Sequence, residues 1–251
     1  MPTHPPARSG LPAEHSKPVT KWVAADAVLV EFGNEIRPST LASVAALERA
    51  INETEMNGLV ETVPAYTSLL VRYDPLSTTF ENVESDIAHY LSEPPETVRT
   101  PRLWRIPVAF GDTFGPDAAL VANANVLSER DLFERYASAR YTVAMFGFLP
   151  GFAYLAGLPP ELALPRRETP REHVPGGGIA IGGAQTAIGS IAGPCGWHII
   201  GRTPINSFVP DRDPVTFLRV GDEVEFFPVP HPEFAQLADA AERGELIAEA
   251  V

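Results

Sequence analysis

The sequence predicts an α+β protein in which a ferredoxin-like βαββαβ domain is followed by a compact antiparallel β barrel. Two observations support this order. Hydrophobic periodicity alternates between the strand type and the helix type from Trp22 to about Arg99. Beyond that point short apolar runs are separated by Gly and Pro turns, which is typical of small barrels. We therefore expect domains at residues 22–100 and 101–230.

The two ends of the chain lie outside these domains. Residues 1–21 are rich in proline and short of large apolar side chains, so we expect a disordered leader. Residues 231–251 are expected to form a C-terminal helical tail. Its helical spacing is carried by Phe234, Leu237 and Ala241.

In the first domain, strands and helices alternate. Strands are expected at residues 27–32, 59–63 and 68–73. Pro38-Ser39-Thr40 supplies capping residues for the first helix, and the second helix carries a capping-box pattern at Thr78 and Glu81. Leu103 to Phe110 is expected to close the βαββαβ sheet, and Pro94-Pro95 marks the boundary between the domains.

The second domain is expected to be mostly β. Two short helical pieces come first, at residues 117–123 and 128–136. Strand candidates then follow at residues 141–148, 179–183, 197–201 and 223–229. The glycines of Gly176-Gly177-Gly178 and Gly182-Gly183 match neither a dinucleotide fingerprint nor a phosphate loop, so we interpret them as hairpin turns.

Composition excludes several function classes. The 251 residues carry a net charge of −13, so nucleic acid is not an expected partner. A single cysteine, Cys195, excludes an internal disulfide and fits a reducing compartment. No apolar run is long enough to span a membrane, and we expect a cytoplasmic location. Because Lys17 and Lys21 are the only lysines, no later residue can form a Schiff base or carry biotin.

The segment from Phe146 to Pro204 concentrates the polar residues that could recognise a ligand. Arg166 and Arg171 each follow a proline, and a planar guanidinium group can hold a carboxylate or a phosphate through two hydrogen bonds. Ion pairing with a nearby glutamate explains these arginines equally well, and we favour it for Arg167. The nearby glutamates are Glu161, Glu168 and Glu172.

Other polar residues of this segment have two interpretations each. Gln185 and Thr186 suit either an amide-bearing substrate or the bracing of a loop. His173 and His198 lack a metal-binding spacing, so we expect hydrogen-bonding roles and no metal site. Cys195 lies between Pro194 and Gly196 without a recognisable nucleophile motif, which favours a small side chain in a tight turn.

Several blocks of this segment resemble one bacterial family. The blocks are Gly147-Phe148-Leu149-Pro150-Gly151-Phe152-Ala153-Tyr154-Leu155, Pro165-Arg166, Pro170-Arg171, Val174-Pro175, Gly183-Ala184-Gln185-Thr186, Gly196-Trp197 and Gly201-Arg202-Thr203-Pro204. The family comprises the B-type subunits of 5-oxoprolinase, also called allophanate hydrolase subunit 1, and the Kip-type histidine-kinase inhibitors. It is of the carboxyltransferase domain, subdomain C and D type. The resemblance spans about Ala27 to Pro228.

The resemblance implies both a fold and an activity. It implies an N-terminal α+β domain followed by a cyclophilin-like β barrel. It also implies a hetero-oligomeric, ATP-dependent hydrolase in which this chain acts with a C-type subunit, an allophanate hydrolase subunit 2-like protein, and with a lactam-utilisation type protein. Such a complex opens 5-oxoproline, a small lactam, to glutamate, and ATP is a substrate of the complex.

The same resemblance leaves two other functions open. One is a binding protein that inhibits a histidine kinase. The other is half of a biotin-dependent carboxyltransferase of the urea carboxylase type, in which biotin is carried on another domain. The chain departs from the family pattern at Tyr136, where members commonly have His, and at Cys195, where they commonly have Gly. It also departs after Gln185-Thr186, where Ala187 follows instead of the common Gly.

We predict a single site in a crease between the two Pro-Arg corners and the strands from Gln185 to Thr203, completed by the partner protein. Its substrate-binding residues would be Arg166, Arg171, Arg202 and Thr186. The arginines would orient a carboxylate or a phosphate, while Thr186 and Gln185 would bind the amide. His198 is the candidate proton carrier, so the predicted catalytic residues are His198 and Gln185.

Overall fold

The computed structural model describes residues 17–93 and 101–251, so the predicted boundary at Pro94-Pro95 lies outside the described residues. The chain begins with a mixed unit. Its elements are β1 (Val19–Ala24), β2 (Ala27–Glu31), α1 (Pro38–Glu53), β3 (Leu59–Pro64), β4 (Ser68–Tyr73) and α2 (Phe80–Ser92). The four strands pair antiparallel in the order β1-β2-β4-β3.

Both helices cover one face of this sheet because their apolar residues recur every three or four positions. Val44 and Ile51 of α1 and Val83 and Ile87 of α2 are buried in one core with the inward side chains of β2 and β4. Helix α2 begins one residue later than the predicted capping box, because the hydroxyl of Thr79 accepts the N–H of Asn82 at 3.4 Å.

The first sheet differs from the predicted ferredoxin-like βαββαβ arrangement in its first and last strands. Residues 19–21, predicted to belong to a disordered leader, begin edge strand β1, whose side chains are mostly exposed and show no apolar alternation. Leu103–Phe110, predicted to close this sheet, lies in the second unit instead. The prediction was wrong because an apolar run indicates a buried strand and does not indicate which sheet the strand joins.

The second unit is a closed barrel with helices at its ends and sides. Its elements are β5 (Leu103–Phe110), α3 (Ala118–Ala124), α4 (Glu129–Ser138), β6 (Arg140–Phe146), β7 (Ala153–Ala156), a 3-10 turn (Pro160–Leu162), β8 (Arg171–Val174), β9 (Gly178–Gly182), β10 (Gln185–Ile188), β11 (Gly193–Cys195), β12 (His198–Arg202), β13 (Glu223–Pro228), α5 (His231–Glu242) and β14 (Glu249–Ala250). Seven strands run in the order β12-β9-β10-β7-β6-β13-β5, and pairing of β12 with β5 closes the ring.

The predicted β barrel is therefore confirmed, with one correction to its antiparallel character. Strands β5 and β13 run parallel along six residue pairs, from Glu223↔Leu103 to Pro228↔Val108. The two strands are separated by most of the barrel sequence, and strand direction leaves no mark in the hydrophobic pattern of a buried strand.

Two clusters of side chains lie on opposite faces of the barrel wall. The interior is filled by residues such as Ile181, Leu155 and Tyr136, the last supplied by α4. The outer face of β9, β10 and β12 carries a second cluster around Trp197. The two-stranded ribbon of β8 and β11 packs over part of this outer face through Val174 and Cys195.

The two units contact each other through a small apolar junction. Leu41 and Tyr66 of the first unit pack with Ala144 and Ala156 of the barrel, and all four residues are buried. The hydroxyl of Tyr66 donates to the carbonyl of Leu155 at 3.3 Å. Helix α5 packs through Phe234 on the outside of β5. None of the helices in the described residues is long and apolar enough to cross a membrane.

Candidate functional site

An exposed polar patch surrounds Trp197 on the outer face of the barrel. The indole ring lies against Gly182 of β9, where a Cβ atom would come within 2.4 Å of the ring. The site therefore needs glycine at this position for close packing. Tyr154 meets the same indole at a centroid distance of 5.7 Å and an angle of 73°. With Arg166 and Gln185, described next, these residues form the Trp197 face.

Arg166 extends over the Trp197 indole. Its guanidinium carbon lies 5.4 Å from the ring centroid, a cation–π distance. Burial raises the pKa of Tyr154, and the nearby positive charge of Arg166 offsets part of that rise. Among the described residues Arg166 has no ion-pair partner, and its side chain is exposed. Its N–H donors are therefore available to an anion from solution.

Gln185 lies on the same face as Trp197. It is the first residue of β10 and pairs directly with Gly182 of β9. Directly opposed residues of an antiparallel pair project to the same side of a sheet. The Gln185 side chain is therefore on the Gly182 side, where the indole lies, and it is partly exposed. The structure thus brings Arg166 and Gln185, two of the predicted residues, to one surface.

Thr186 points into the barrel instead. It is fully buried, and its hydroxyl donates to the carbonyl of Ala180 at 2.8 Å. The Tyr136 hydroxyl lies 2.7 Å from the same oxygen and must donate to it, because the threonine proton is already used. The hydroxyl predicted to bind a substrate amide is therefore engaged inside the protein. Tyr136, noted in the sequence as a departure from the family pattern, is its partner.

His198 lies beneath the Arg166 corner. Its Nε2 is 2.8 Å from the carbonyl oxygen of Pro165, and because a carbonyl only accepts, Nε2 carries the ring proton. Nδ1 is then a buried acceptor, and it has no hydrogen-bond partner in the part of the chain that is described. His198 is only 5% exposed. Its predicted role in carrying protons stays a prediction, while its contact with Pro165 holds the backbone next to Arg166.

Arg171 and Arg167 both bind one buried carboxylate, that of Asp117. Arg171 places two nitrogens on it at 2.6 and 2.7 Å, and Arg167 adds a third contact at 2.9 Å. The N–H of Ile199 completes the set at 2.7 Å. Ion pairing, favoured in the sequence for Arg167, is therefore observed for both arginines. The partner is not one of the three nearby glutamates.

Sequence reasoning missed Asp117 as a charge partner. It stands 50 residues before Arg167 and 54 before Arg171, so local spacing could not connect them. Its position at the start of α3 is typical of a helix-capping residue. Its carboxylate makes no capping bond, however, and turns to β12 and the arginines. An aspartate at a helix start is too common a signal to have identified the cluster.

Arg202 occupies a third position. Its Nε donates to the carbonyl of Gly176 at 2.7 Å, and its guanidinium carbon lies 5.7 Å from the ring centroid of Phe234. Strand β12 carries it away from Trp197 by five residues, which correspond to about 16 Å of extended chain. The three arginines expected in one crease thus have three separate environments. Only Arg166 belongs to the Trp197 face.

The remaining candidates are Cys195 and His173. The sulfur of Cys195 accepts the N–H of Trp197 at 3.4 Å, as expected of a small side chain in a turn. His173 is exposed on β8. Within residues 17–93 and 101–251, no group of three or more His, Cys, Asp and Glu side chains is arranged to hold a metal ion.

Comparison with known proteins gives a consistent set of relatives. The family model for the carboxyltransferase domain, subdomain C and D, matches residues 18–218. A protein of Bacillus subtilis (strain 168), named as the B-type subunit of 5-oxoprolinase, is 36% identical over 219 residues, which cover 83% of this chain and 91% of the relative. The protein of the same name from Escherichia coli O157:H7 is 38% identical over 193 residues, covering 76% of this chain and 88% of that relative.

Solved structures include two informative neighbours. An uncharacterised protein from Pyrococcus horikoshii is 42% identical with a TM-score of 0.53, and the match covers 86% of this chain and 100% of that chain. The urea carboxylase of Kluyveromyces lactis has a TM-score of 0.73 at 20% identity, covering 93% of this chain and 24% of that chain. At this identity the second similarity concerns the fold alone.

The contacts of Asp117 with Arg167, Arg171 and the Ile199 N–H predict how the stability of the protein depends on pH. Burial alone would raise the pKa of Asp117, but the hydrogen bonds and charges of its partners lower it below the ordinary 3.8. The folded state therefore binds this proton less readily than the unfolded chain, so the stabilisation is present above about pH 4 and is lost at lower pH. Asp117→Asn should lower the free energy of unfolding by about 3 kcal/mol at pH 7.

Urea unfolding at pH 7 and pH 3 measures this effect. The difference between the native protein and Asp117→Asn should shrink at pH 3, because below the ordinary carboxyl pKa the unfolded chain takes up a proton that the folded protein does not bind. Asp112→Asn is the matched control, because the Asp112 side chain is 82% exposed and should contribute little. An Asp117→Asn effect that is equally large at both pH values would contradict the electrostatic account.

The Tyr136–Thr186 pair generates a second prediction. Tyr136→Phe and Thr186→Val should each lower the free energy of unfolding by about 1–2 kcal/mol, because each removes a buried hydrogen bond. The double variant should lose less than the sum of the two, by about 1 kcal/mol, because the two side chains share one bond. Additive losses in denaturant unfolding would show that the two hydroxyls do not interact.

Proposed function

The chain belongs to the carboxyltransferase domain, subdomain C and D family, and we propose that within this family it is the B-type subunit of an ATP-dependent 5-oxoprolinase. In this proposal it acts with a C-type partner, like allophanate hydrolase subunit 2, and with a lactam-utilisation type protein. The complex opens 5-oxoproline to glutamate in the cytoplasm, and ATP is a substrate of the complex. The similarity to two proteins named as B-type 5-oxoprolinase subunits supports this assignment.

One observation connects the proposal to particular residues: Arg166 lies over the Trp197 indole, and Gln185 projects from β10 to the same side of the sheet. 5-Oxoproline has one carboxylate and one ring amide. Arg166 can bind the carboxylate through two N–H groups. The ring holds the amide in the cis form, so its N–H and C=O lie side by side, and the Gln185 side-chain amide can pair with both.

The reaction needs an activated amide, because an unstrained lactam resists attack by water. In the proposed reaction the γ-phosphoryl group of ATP is first transferred to the lactam oxygen, leaving ADP. Water then adds to the activated carbon, and the C–N bond breaks as the nitrogen takes up a proton. A second water hydrolyses the resulting acyl phosphate to glutamate and phosphate. Lys17 and Lys21 precede the barrel, so a phosphate-binding lysine would come from a partner protein.

In this proposal Arg166 and Gln185 orient the lactam during these steps. Gln185, one of the two predicted catalytic residues, would touch the amide that reacts. His198 would act as a positioning residue, because its bond to the Pro165 carbonyl holds the Arg166 corner. A proton-carrying role for His198 would require its Nε2 to leave Pro165.

Two features support a partner that covers the Trp197 face. Arg166 is exposed and lacks an ion-pair partner in the described residues, which suits a site that is incomplete on one chain. Phe148 is 61% exposed and packs edge-on against Phe152, a member of the Trp197 cluster, at a centroid distance of 5.7 Å. Exposed aromatic residues beside a polar site are typical of protein interfaces.

The proposal predicts that a reconstituted complex of the three proteins hydrolyses ATP only when 5-oxoproline is present. Arg166→Ala should raise KM for 5-oxoproline about 30-fold, because a charge-assisted contact worth about 2 kcal/mol is lost. Gln185→Ala should lower kcat, because the contact is made to the reacting amide. Steady-state ATP turnover at varied 5-oxoproline concentrations measures both parameters.

Arg130→Ala is the matched control, because Arg130 is exposed on α4 and pairs only locally with Glu134. It should leave KM unchanged. ATP turnover that ignores 5-oxoproline, or an Arg166→Ala variant with native KM, would contradict the proposal. Turnover that instead requires a biotin carrier and urea would favour the carboxyltransferase alternative.

A further inference from the structure

A cavity separate from the Trp197 face lies between the end of β12 and helix α5. Its volume is about 320 Å³, within the range of small-molecule sites. The polar residues of its wall are Ser190, Arg202, Thr203, Asn206 and Glu242. Apolar side chains, including Phe234 and Ala238, line the α5 side. None of the residues of the Trp197 face lines this cavity.

Arg202 brings an unneutralised positive charge to this cavity. Its Nε donates to the carbonyl of Gly176, and its guanidinium carbon lies 5.7 Å from the centroid of the Phe234 ring. Among the described residues it has no carboxylate within ion-pair distance. Burial lowers the pKa of the guanidinium, with no nearby charge acting to raise it. A half-buried cation without a counter-ion is costly, so an anionic ligand would be stabilised here.

Ser190 supplies a second unsatisfied group on the same wall. Its hydroxyl oxygen is buried, and in the described part of the chain it has no hydrogen-bond partner. Most buried hydroxyls in proteins are paired. An unpartnered hydroxyl on a residue that lines the cavity is therefore a candidate contact for a ligand atom. Gly176 keeps this wall close to Arg202, because a Cβ at that position would come within 2.6 Å of the Ser190 carbonyl oxygen.

We propose that this cavity binds a small α-amino acid, with its carboxylate on Arg202 and Ser190 and its ammonium group towards Glu242. Glu242 is exposed at the rim of the cavity, where a carboxylate attracts a cationic group. The same charge disfavours a doubly charged phosphate, for which Arg202 alone gives too little compensation. Phe234 and Ala238 offer an apolar surface to the ligand side chain. This inference does not rest on the proposed lactam chemistry, because it concerns different residues.

Isothermal titration calorimetry of the full chain with four probes tests the proposal. L-Valine and L-alanine should bind, propionate should bind about tenfold more weakly because it lacks the ammonium group, and inorganic phosphate should not bind. Failure of both amino acids to bind at about 10 mM would overturn the proposal. So would phosphate binding as tight as that of the amino acids, since it would indicate a general anion site.

Substitutions of the cavity residues test whether the amino acids bind in this cavity. Arg202→Gln should abolish binding of both amino acids, whereas Arg243→Gln, which removes the same charge from an arginine that pairs with Glu245 outside the cavity, should leave it unchanged. Glu242→Gln should weaken L-alanine about fivefold and leave propionate unaffected. Ser190→Ala should weaken both amino acids about tenfold without lowering the melting temperature, because its hydroxyl has no partner among the described residues of the free protein.

These readouts stay informative if Arg202→Gln does not fold. Ser190→Ala and Glu242→Gln change the cavity without removing the Arg202 contacts to Gly176 and Phe234. If both variants bind the amino acids as the native chain does, the site is elsewhere and the proposal fails. An Arg166→Ala chain should bind amino acids normally here, so failure of this inference and failure of the proposed lactam site are distinguishable.

Discussion

The arrangement of the barrel's outer surface depends on the hydrogen bonds and ion pairs of the Asp117 carboxylate. It ties three distant pieces of the chain together: the start of α3, the first residues of β12 and the segment that carries Arg167 and Arg171. A buried carboxylate is tolerated only when its oxygens are satisfied. Here both oxygens receive hydrogen bonds from charged or backbone donors. The segment that positions Arg166 is thereby held against the barrel.

This anchoring divides the arginines of the Pro-Arg corners by role. Arg167 and Arg171 neutralise Asp117, so their charge is used inside the protein. Arg166, next in the chain to Arg167, has no such partner among the described residues and lies over Trp197. Because residue 182 is a glycine, the Trp197 indole packs directly against the backbone of β9. The buried Asp117 carboxylate thus gives Arg167 and Arg171 a structural role, while Arg166 is available to bind a ligand.

The sequence was most informative where a structure depends on local pattern. The positions of α1, β3, β4 and α2 follow from periodicity and turns, because each buries one face of a short segment. The partner of β5 and the parallel direction of β13 depend on contacts between residues far apart in the chain, which periodicity does not contain. For the site, Arg166 and Gln185 were selected by residue type, and the β9–β10 register places Gln185 on the face that Arg166 covers. Thr186, one residue further, projects to the opposite face for the same reason.

One edge of strand β5 pairs with β13, and the other edge is shared by β12 and β14. Its last residues pair with β12 and close the barrel, while Trp104 and Arg105 near its start pair with the two residues of β14. A strand edge left open presents free N–H and C=O groups to other chains. The short pairing of Glu249 and Ala250 occupies part of this edge, so fewer backbone groups of β5 are open to a strand of another chain.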